Sequence, residues 1–316
     1  MTGGSQDTVS FVLCIEDNAI RAQALLLCES IRRFGGRFRT APIVAVSPRR
    51  GLGVGRATRH ALDAIGVEYV DEPLNDICPE YGSANRVFAA AWVESRARST
   101  WVVVLDSDTI FVDEPELPGG ADVAVRPVDA KGSTTTGPGD PYEDYWRRLA
   151  GLQHVSIECL PFVATTDGSH RVRASYNGGL VVVRRERGIL TAWADLFARS
   201  VRAGLKPSPG SDLNVHASTG YVGSAASEYW GSNQAALALA IWSTTNRVHE
   251  YPDTYNVPLH LIMARPDLRR RLPPLVHVHY HWVFTGAHYE SALAALRDLG
   301  AASDRLDWLT TRLPIA

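Results

Sequence analysis

The sequence has little net charge and almost no lysine. Its 316 residues include 32 Lys and Arg against 34 Asp and Glu, which gives a formal net charge of -2. Lys131 and Lys206 are its two lysines, so arginine carries almost all of the positive charge. A balance this close to neutral lacks the excess of basic residues that is typical of proteins that bind nucleic acids or anionic membrane surfaces. We therefore expect neither kind of partner.

Cysteine is scarce, and long apolar runs are missing. The four cysteines, at 14, 28, 78 and 159, lack the paired spacing of zinc or redox motifs. No apolar run reaches the ~20 residues that a membrane-spanning helix needs. The start, "MTGGSQDTVS", has neither the basic nor the apolar region of a signal peptide. We expect a cytoplasmic protein with reduced thiols and no membrane span.

The first part of the chain alternates between two patterns. Short apolar runs typical of buried strands are "TVSFVLCIED", "APIVAVSP", "VEYVDEP" and "TWVVVLDSDTIF". Between them lie the helical patterns "AIRAQALLLCESIRRFG", "GRATRHALDAIG" and "SANRVFAAAWVESRA". This alternation predicts an α/β fold in which a parallel sheet has helices on both faces.

Beyond residue 112 the alternation stops. The sequence there predicts helices in "YEDYWRRLAGL", "GILTAWADLFARSVRAG" and "SNQAALALAIWS", and strands in "ASYNGGLVVVRRE" and "PPLVHVHYHWVF". Polar, glycine-rich loops are expected at 131–141 and 206–227. The simplest organisation is one domain over 1–316, made of parts at about 8–112, about 113–290 and a helical tail at 291–316.

Two aspartates follow the fourth predicted strand, in "WVVVLDSDTIF". Asp106 and Asp108 are two residues apart, so in an extended segment their carboxylates point the same way and repel each other unless a positive group lies between them. A divalent metal is the favoured candidate, because Mg²⁺ and Mn²⁺ prefer oxygen ligands. Use of Asp in a turn or helix cap is an alternative. So is the phosphatase pattern Asp-x-Asp-x-Thr, but Ile110 occupies its Thr position.

The order of the motifs resembles that of the GT-A fold glycosyltransferases. After the alternating elements come "VVVLDSDT", "YNGGLVVV", "NQAALALA", "YNVP" and a strand rich in histidine, over residues 10–285. The pattern is most similar to the family of glycogenin and the bacterial lipopolysaccharide galactosyltransferases. The resemblance implies a Rossmann-like GT-A fold with a mixed, mostly parallel central sheet flanked by helices. It also implies that 8–112 is the nucleotide-binding half and 113–290 the acceptor half.

In that family two aspartates and a late histidine hold Mn²⁺ against the diphosphate of a nucleotide sugar. Asp106 and Asp108 match the aspartates. The histidine is expected from "HVHYH", where His277, His279 and His281 are predicted to alternate onto one face of a strand. The resemblance favours His279, which an aromatic residue follows, while the other two remain alternatives. An imidazole ligand favours Mn²⁺ over Mg²⁺.

The resemblance also assigns residues to the nucleotide-sugar donor. Asn85 and Arg86 begin a helix, and the guanidinium of Arg86 suits the oxygens of the diphosphate or of the donor sugar. A surface position for this arginine is an equally open alternative. At the end of the first strand, "CIEDN" departs from the family's usual pattern, so Cys14 and Ile15 are expected near the base by position alone, through their backbone groups.

Further donor contacts are implied around the metal motif and in "YNGG". Leu105 and Ser107 belong to the metal motif itself. Gly178 and Gly179 let the backbone approach a ligand closely, and the amide of Asn177 can bond sugar hydroxyls. An ordinary Asn-Gly turn before a buried strand is the alternative for this segment.

The motif "SNQAALALA" matches a region that lies beneath the anomeric carbon in the family. Asn233 replaces the usual Asp, and Gln234 is retained. A neutral Asn cannot act as a base, and Gln is a poor nucleophile. Retention of configuration through front-face attack needs neither group, so we expect retention. An inverting enzyme needs a carboxylate base, for which Glu228 is the candidate.

These features predict a metal-dependent glycosyltransferase that moves a hexose from a nucleotide diphosphate sugar, most simply a UDP-sugar, to a hydroxyl of a small molecule or glycan. The two loops are expected to close over donor and acceptor and exclude water. A sugar nucleotidyltransferase is an alternative, but "CIEDNAIRAQ" lacks the usual glycine-rich basic loop. A non-catalytic carbohydrate-binding protein is another, and it would need no metal.

Overall fold

The computed structural model describes residues 7–210, 216–217, 220–221, 223–268 and 274–315. The strands in these segments are β1 (Val9–Cys14), β2 (Ile43–Ser47), β3 (Glu68–Asp71), β4 (Trp101–Leu105), β5 (Thr109–Phe111), β6 (Val123–Val125), β7 (Phe162–Ala164), β8 (Arg171–Arg173), β9 (Leu180–Arg184), β10 (His216–Ala217), β11 (Gly220–Tyr221), β12 (Val248–Glu250), β13 (Val257–Pro258) and β14 (His277–His279). The α-helices are α1 (Ile20–Phe34), α2 (Arg56–Ala64), α3 (Asn85–Glu94), α4 (Glu143–Leu152), α5 (Ile189–Arg202), α6 (Ser224–Glu228), α7 (Ser232–Thr244), α8 (Leu259–Ala264), α9 (Tyr289–Leu299) and α10 (Ser303–Thr310).

The main sheet has the order β12-β6-β9-β4-β1-β2-β3. Strand β9 runs antiparallel to both of its neighbours, and the remaining pairs are parallel. The sequence prediction of a mixed, mostly parallel sheet is therefore confirmed. The direction of β9 could not be read from its residues, because a strand buried on both faces shows the same apolar run in either direction.

Helices cover both faces of this sheet. Every residue of β1 and β4 is buried, as expected for strands with two covered faces. One face packs against α3, α5 and α7, and the other against α1 and α2. Helix α7 is apolar around most of its surface, and it is buried along nearly its whole length. The α/β layers thus place the carboxyl ends of β1 and β4 side by side at one edge.

A second sheet brings the late histidines to that edge. Its order is β13-β14-β5, and in the antiparallel pair of β14 with β5, His279 lies opposite Thr109. Because Thr109 follows Asp108 directly, this register places the end of β14 beside the aspartates. The predicted long strand in "PPLVHVHYHWVF" is corrected to three residues, His277–His279. The chain then turns, and His281 has a left-handed φ of 52°.

The predicted C-terminal tail is helical. Helices α9 and α10 pack against α1 and the second sheet in an apolar cluster that contains Phe34, Leu296 and Leu309. The division of the chain into two halves and a tail stays a prediction. Within the described segments, no helix combines the length and the apolar character needed to cross a bilayer.

Candidate active site

A cavity of about 600 Å³ lies beyond the carboxyl ends of β1 and β4. This is where open α/β sheets bind their ligands. Of the residues predicted from the sequence, its walls include Cys14, Asn85, Arg86, Leu105, Asp106, Ser107, Asp108, Asn177, Asn233, Gln234, His279 and His281. Residues from six separate parts of the chain therefore meet at one place.

The aspartates sit in a turn that is fixed by hydrogen bonds. The hydroxyl of Thr109 donates to the carbonyl of Asp106 over 2.7 Å, and the hydroxyl of Ser107 donates to the carbonyl of Cys14. The second bond ties the end of β4 to the end of β1. The hydroxyl of Ser107 therefore makes a structural hydrogen bond within the protein. This bond helps to hold Asp106 and Asp108 at the cavity wall.

Two cationic side chains offset the charges of the aspartates. The guanidinium of Arg86 forms an ion pair with Asp106. The Nε2 atom of His279 lies 3.2 Å from Oδ1 of Asp108 and 3.9 Å from Oδ2 of Asp106. Burial alone raises the pKa of the Asp108 carboxyl, but the neighbouring His279 outweighs it, so the pKa lies below its usual range. The repulsion inferred from the sequence is therefore compensated by the chain itself.

Three side chains at the cavity wall form a donor set that suits a divalent metal. Ligand atoms of Asp108, His279 and His281 all lie within 4.8 Å of one another. The Nδ1 of His279 and the Nε2 of His281 are buried without a hydrogen-bond partner among the described residues. Carboxylate and imidazole ligands together fit Mn²⁺. His281 joins this set because its left-handed turn stacks its ring on His279, with centroids 3.8 Å apart.

His277 does not belong to the donor set. Its ring packs on Phe111, with centroids 4.6 Å apart, and it is fully buried. Burial lowers the pKa of this imidazole well below its usual value, so it is neutral. The expected face of three alternating histidines is therefore wrong, because the strand ends at His279 and the next histidine reaches the site through a turn.

We expect alanine replacements of these histidines to rank in the order of their contacts. His279→Ala should weaken Mn²⁺ affinity most, by at least about tenfold, and His281→Ala less. His277→Ala should leave the affinity unchanged and lower the free energy of unfolding by about 1–3 kcal/mol, because it removes a buried ring. Calorimetric Mn²⁺ titration and denaturant unfolding measure the two quantities. If His277→Ala weakens the metal most, the positions of the ligands on this strand are misassigned.

The two glycines of "YNGG" make room for side chains of the site. A Cβ on Gly178 would lie 2.6 Å from Cζ of Arg86, and one on Gly179 would lie 2.6 Å from Nδ1 of His279. Neither glycine is part of the cavity wall formed by the described residues. Their contribution is to let Arg86 and His279 approach β9, rather than to touch a ligand.

Polar groups that the sequence did not single out surround Asn85. Glu16 is completely buried, and it accepts hydrogen bonds from Nε of Arg49 over 2.8 Å and from Nδ2 of Asn85 over 3.1 Å. The Oδ1 of Asn85 accepts from Asn75. Glu16 and Arg49 line the cavity beside Asn85. The only sequence signal for this group was the acidic pair in "CIED", which the resemblance did not cover.

A second missed carboxylate lies beside Asn177. The amide of Asn177 donates to Oδ2 of Asp129 over 3.0 Å, and its oxygen accepts from the backbone of Gly179 over 2.8 Å. Burial raises the pKa of Asp129 to about 6. Asp129 lines the cavity, whereas no local pattern distinguished it in the sequence.

The start of α7 presents Gln234 to the cavity. Asn233 is held from two sides, since its Oδ1 accepts from the hydroxyl of Tyr81 over 2.8 Å and its carbonyl accepts from the indole of Trp193 over 2.7 Å. Gln234 is half-buried at the cavity wall. The firmly held Asn233 thus fixes the position of its neighbour.

Two predicted residues lie away from the cavity. Ile15 is fully buried in the apolar cluster on the α1 side of the sheet. Glu228 forms an ion pair with Lys206 and accepts a hydrogen bond from the backbone of Gly210. The hydrogen bond from Lys206 lowers the pKa of Glu228. A carboxylate engaged in this way is a weak base, and the described cavity wall does not include it.

A family model describes the greater part of the chain. The Rhodobacterales glycosyltransferase domain matches residues 11–208. This match shows that the protein is a glycosyltransferase, as the motif order predicted. The chain belongs to the Rhodobacterales glycosyltransferase domain family.

Similarity to solved structures is low in sequence and moderate in fold. The bifunctional glycosyltransferase WbbM is 13% identical with a TM-score of 0.48, over 99% of this chain and 53% of WbbM, so this chain spans about half the length of that protein. LgtC in complex with donor and acceptor sugar analogues is 14% identical with a TM-score of 0.48, over 96% of each chain. Core-mannan synthase A from Aspergillus fumigatus in its Mn/GDP form is 6% identical with a TM-score of 0.48, over 79% of this chain and 74% of that one. No curated protein matches the sequence.

Proposed function

We propose that this glycosyltransferase is metal-dependent and moves a hexose from a nucleotide diphosphate sugar, a UDP-sugar in the first instance, to an acceptor hydroxyl with retention of configuration. One observation carries the proposal: Nε2 of His279 lies within 4 Å of carboxylate oxygens of both Asp106 and Asp108, at the wall of a ligand-sized cavity. Carboxylate oxygens and an imidazole in this arrangement could hold a divalent cation beside a diphosphate.

Asp106, Asp108 and His279 would hold the ion, with Mn²⁺ favoured over Mg²⁺ because of the imidazole. When bound, the ion supplies Lewis acidity to the leaving diphosphate. The guanidinium of Arg86, which is buried beside Asp106, adds a fixed positive charge where negative charge builds during bond cleavage. These groups favour the transition state more than the bound donor.

The loop at 131–141 supports exclusion of water. The hydroxyl of Ser133 donates to the carbonyl of Trp230 over 3.0 Å, and the indole of Trp146 donates to the carbonyl of Ser133 over 3.0 Å. Lys131 pairs with Asp140 across the loop at 2.9 Å. A loop anchored at the cavity rim in this way can shield the donor from hydrolysis. The second predicted loop, at 206–227, lies partly outside the described residues.

The position of the carboxylates bears on stereochemistry. Glu228 is engaged with Lys206, and Asn233 is neutral and held by Tyr81, which supports retention. Asp129 supports a second candidate, an inverting enzyme, because it lines the cavity and burial raises its pKa to about 6, a value suited to a general base. Proton NMR of the first-formed product separates the two. An axial anomeric bond formed from an α-linked donor supports retention, and an equatorial bond shows inversion, for which Asp129 is the candidate base.

Gln234→Ala tests the role of the half-buried amide under the donor sugar. Its oxygen dipole can stabilise positive charge that develops at the anomeric carbon. We therefore expect turnover to fall by roughly 10²-fold while donor affinity changes little, because the interaction is gained mainly in the transition state. Steady-state kinetics with a saturating acceptor measure both constants.

The matched control for this variant is Gln153→Ala. Gln153 directly follows α4 and is not part of the cavity wall formed by the described residues. Both constants should stay within about twofold of the wild-type values there. Loss of donor affinity in Gln234→Ala, with turnover preserved, would assign Gln234 to ground-state binding instead.

A donor panel tests the reaction class. The protein is incubated with UDP-, GDP-, ADP- and dTDP-sugars and a mixture of sugar acceptors, with Mn²⁺ or with excess chelator, and the released nucleoside diphosphate is measured. We expect release with Mn²⁺ and none with chelator. Metal-independent release overturns the proposal. Consumption of a nucleoside triphosphate with a sugar phosphate, and release of pyrophosphate, would establish a nucleotidyltransferase instead.

A further inference from the structure

The cavity contains more imidazole than the proposed donor site uses. Ligand atoms of Asp129, His260 and His281 lie within 4.8 Å of one another, and we call these three residues the outer histidine cluster. His260 and His281 face each other edge to face, with ring centroids 4.0 Å apart. All three residues line the cavity. The donor site proposed above uses the two aspartates and His279, and His281 lies within reach of both groups of ligands.

Buried nitrogens of this cluster have no partner within the chain that the structure describes. The Nδ1 of His260 and the Nε2 of His281 are buried, and neither makes a hydrogen bond. A buried polar atom left without a partner is energetically costly. Two such atoms on neighbouring rings, beside a carboxylate, are groups that can serve as ligands of a cation.

The residues of the outer histidine cluster come from distant segments of the chain. His260 comes from α8, directly after the short strand β13. His281 reaches it through the left-handed backbone at φ 52°, a conformation that costs a non-glycine residue energy and tends to persist at functional sites. Asp129 is oriented from behind by the amide of Asn177. Carboxylates that bind metals commonly accept a hydrogen bond from a neighbouring side chain in this way.

We propose that Asp129, His260 and His281 form a second cation site that prefers Zn²⁺. Two imidazoles and one carboxylate are a set of ligands that Zn²⁺ takes in proteins, and three protein ligands leave one coordination position open to the cavity. The donor site, with two carboxylates and one imidazole, is richer in oxygen and suits Mn²⁺ better. The two sites meet where His281 stacks on His279.

Metal counting tests this site without any substrate. The whole chain, freed of metal, is equilibrated with Zn²⁺, and the bound ion is counted by mass spectrometry of the elements. We expect two Zn²⁺ per wild-type chain. His260→Leu and Asp129→Asn should each retain one, with the affinity for the second lowered at least tenfold. The control His288→Ala, at an exposed histidine, should retain two.

One Zn²⁺ per wild-type chain overturns the second site if His260→Leu and Asp129→Asn both retain it, and so does a count of two in both variants. If both variants lose the only bound ion, the outer histidine cluster holds Zn²⁺ and the donor site does not. Circular dichroism confirms that each variant is folded before its count is used. Because no nucleotide is present, the count does not depend on the outcome of the donor panel.

Discussion

Asp108→Asn is expected to reduce transfer by roughly 10³-fold or more, because the loss of a charged ligand removes several kcal/mol of stabilisation from the leaving diphosphate. Asp106→Asn should have a similar effect. The shape of each side chain is preserved, so the fold should survive. Transfer rates at saturating Mn²⁺, together with circular dichroism, measure both points. Asp63→Asn, at an exposed position on α2, is the matched control and should keep its activity.

The same variants have a second expected outcome in the metal-free protein. Relief of repulsion between the carboxylates would by itself raise the free energy of unfolding. In the structure, however, Asp106 is paired with Arg86 and Asp108 with His279. Removal of one partner leaves a buried cation unsatisfied, so we expect a fall of about 1–3 kcal/mol in denaturant unfolding. Metal-dependent activity preserved in both variants would refute the assignment of these ligands.

Gly179→Ala should disable the metal site without changing any ligand. The added Cβ would lie 2.3 Å from Oδ1 of Asn256 and 2.6 Å from Nδ1 of His279, closer than non-bonded atoms approach. Asn256, His279 or the backbone around residue 179 must then shift, which disturbs the position of His279. We expect Mn²⁺ affinity to fall at least about tenfold and the free energy of unfolding to fall by about 1–3 kcal/mol.

The control is Gly119→Ala, since a Cβ there meets nothing within 4 Å and the backbone does not have a positive φ. Its metal affinity and stability should match those of the wild type. Titration calorimetry with Mn²⁺ compares the two variants directly. Unchanged affinity in Gly179→Ala would mean that His279 does not hold the ion.

Much of the fold follows from local patterns in the sequence. The apolar runs of β1 and β4 and the helical periodicity of α1 and α3 identify the parallel layers, because burial on both faces demands such runs. The late strand shows where local patterns fail. Its apolar run continues past His279, but its partner β5 offers only three residues, so tertiary pairing ends the strand there.

Part of the candidate site could be predicted from the sequence, because some of its residues also belong to local patterns. Asp106, Asp108, Asn177 and Gln234 belong to short motifs, and all of them line the cavity. His260 and Asp129 belong to no motif. They reach the cavity because the start of α8 and the segment after β6 lie close together, a relation between distant segments that no local spacing encodes. Glu228 looked suitable by proximity in sequence, but its ion pair with Lys206 depends on the fold.

Titration of the protein with UDP, in Mn²⁺ and then in excess chelator, tests the central claim most directly. If the aspartates and His279 hold a diphosphate-bridging ion, UDP should bind at least about tenfold more tightly with Mn²⁺, and this difference should vanish in Asp108→Asn. Equal UDP affinity with and without the ion, or no binding under either condition, would contradict a metal-dependent UDP-sugar site.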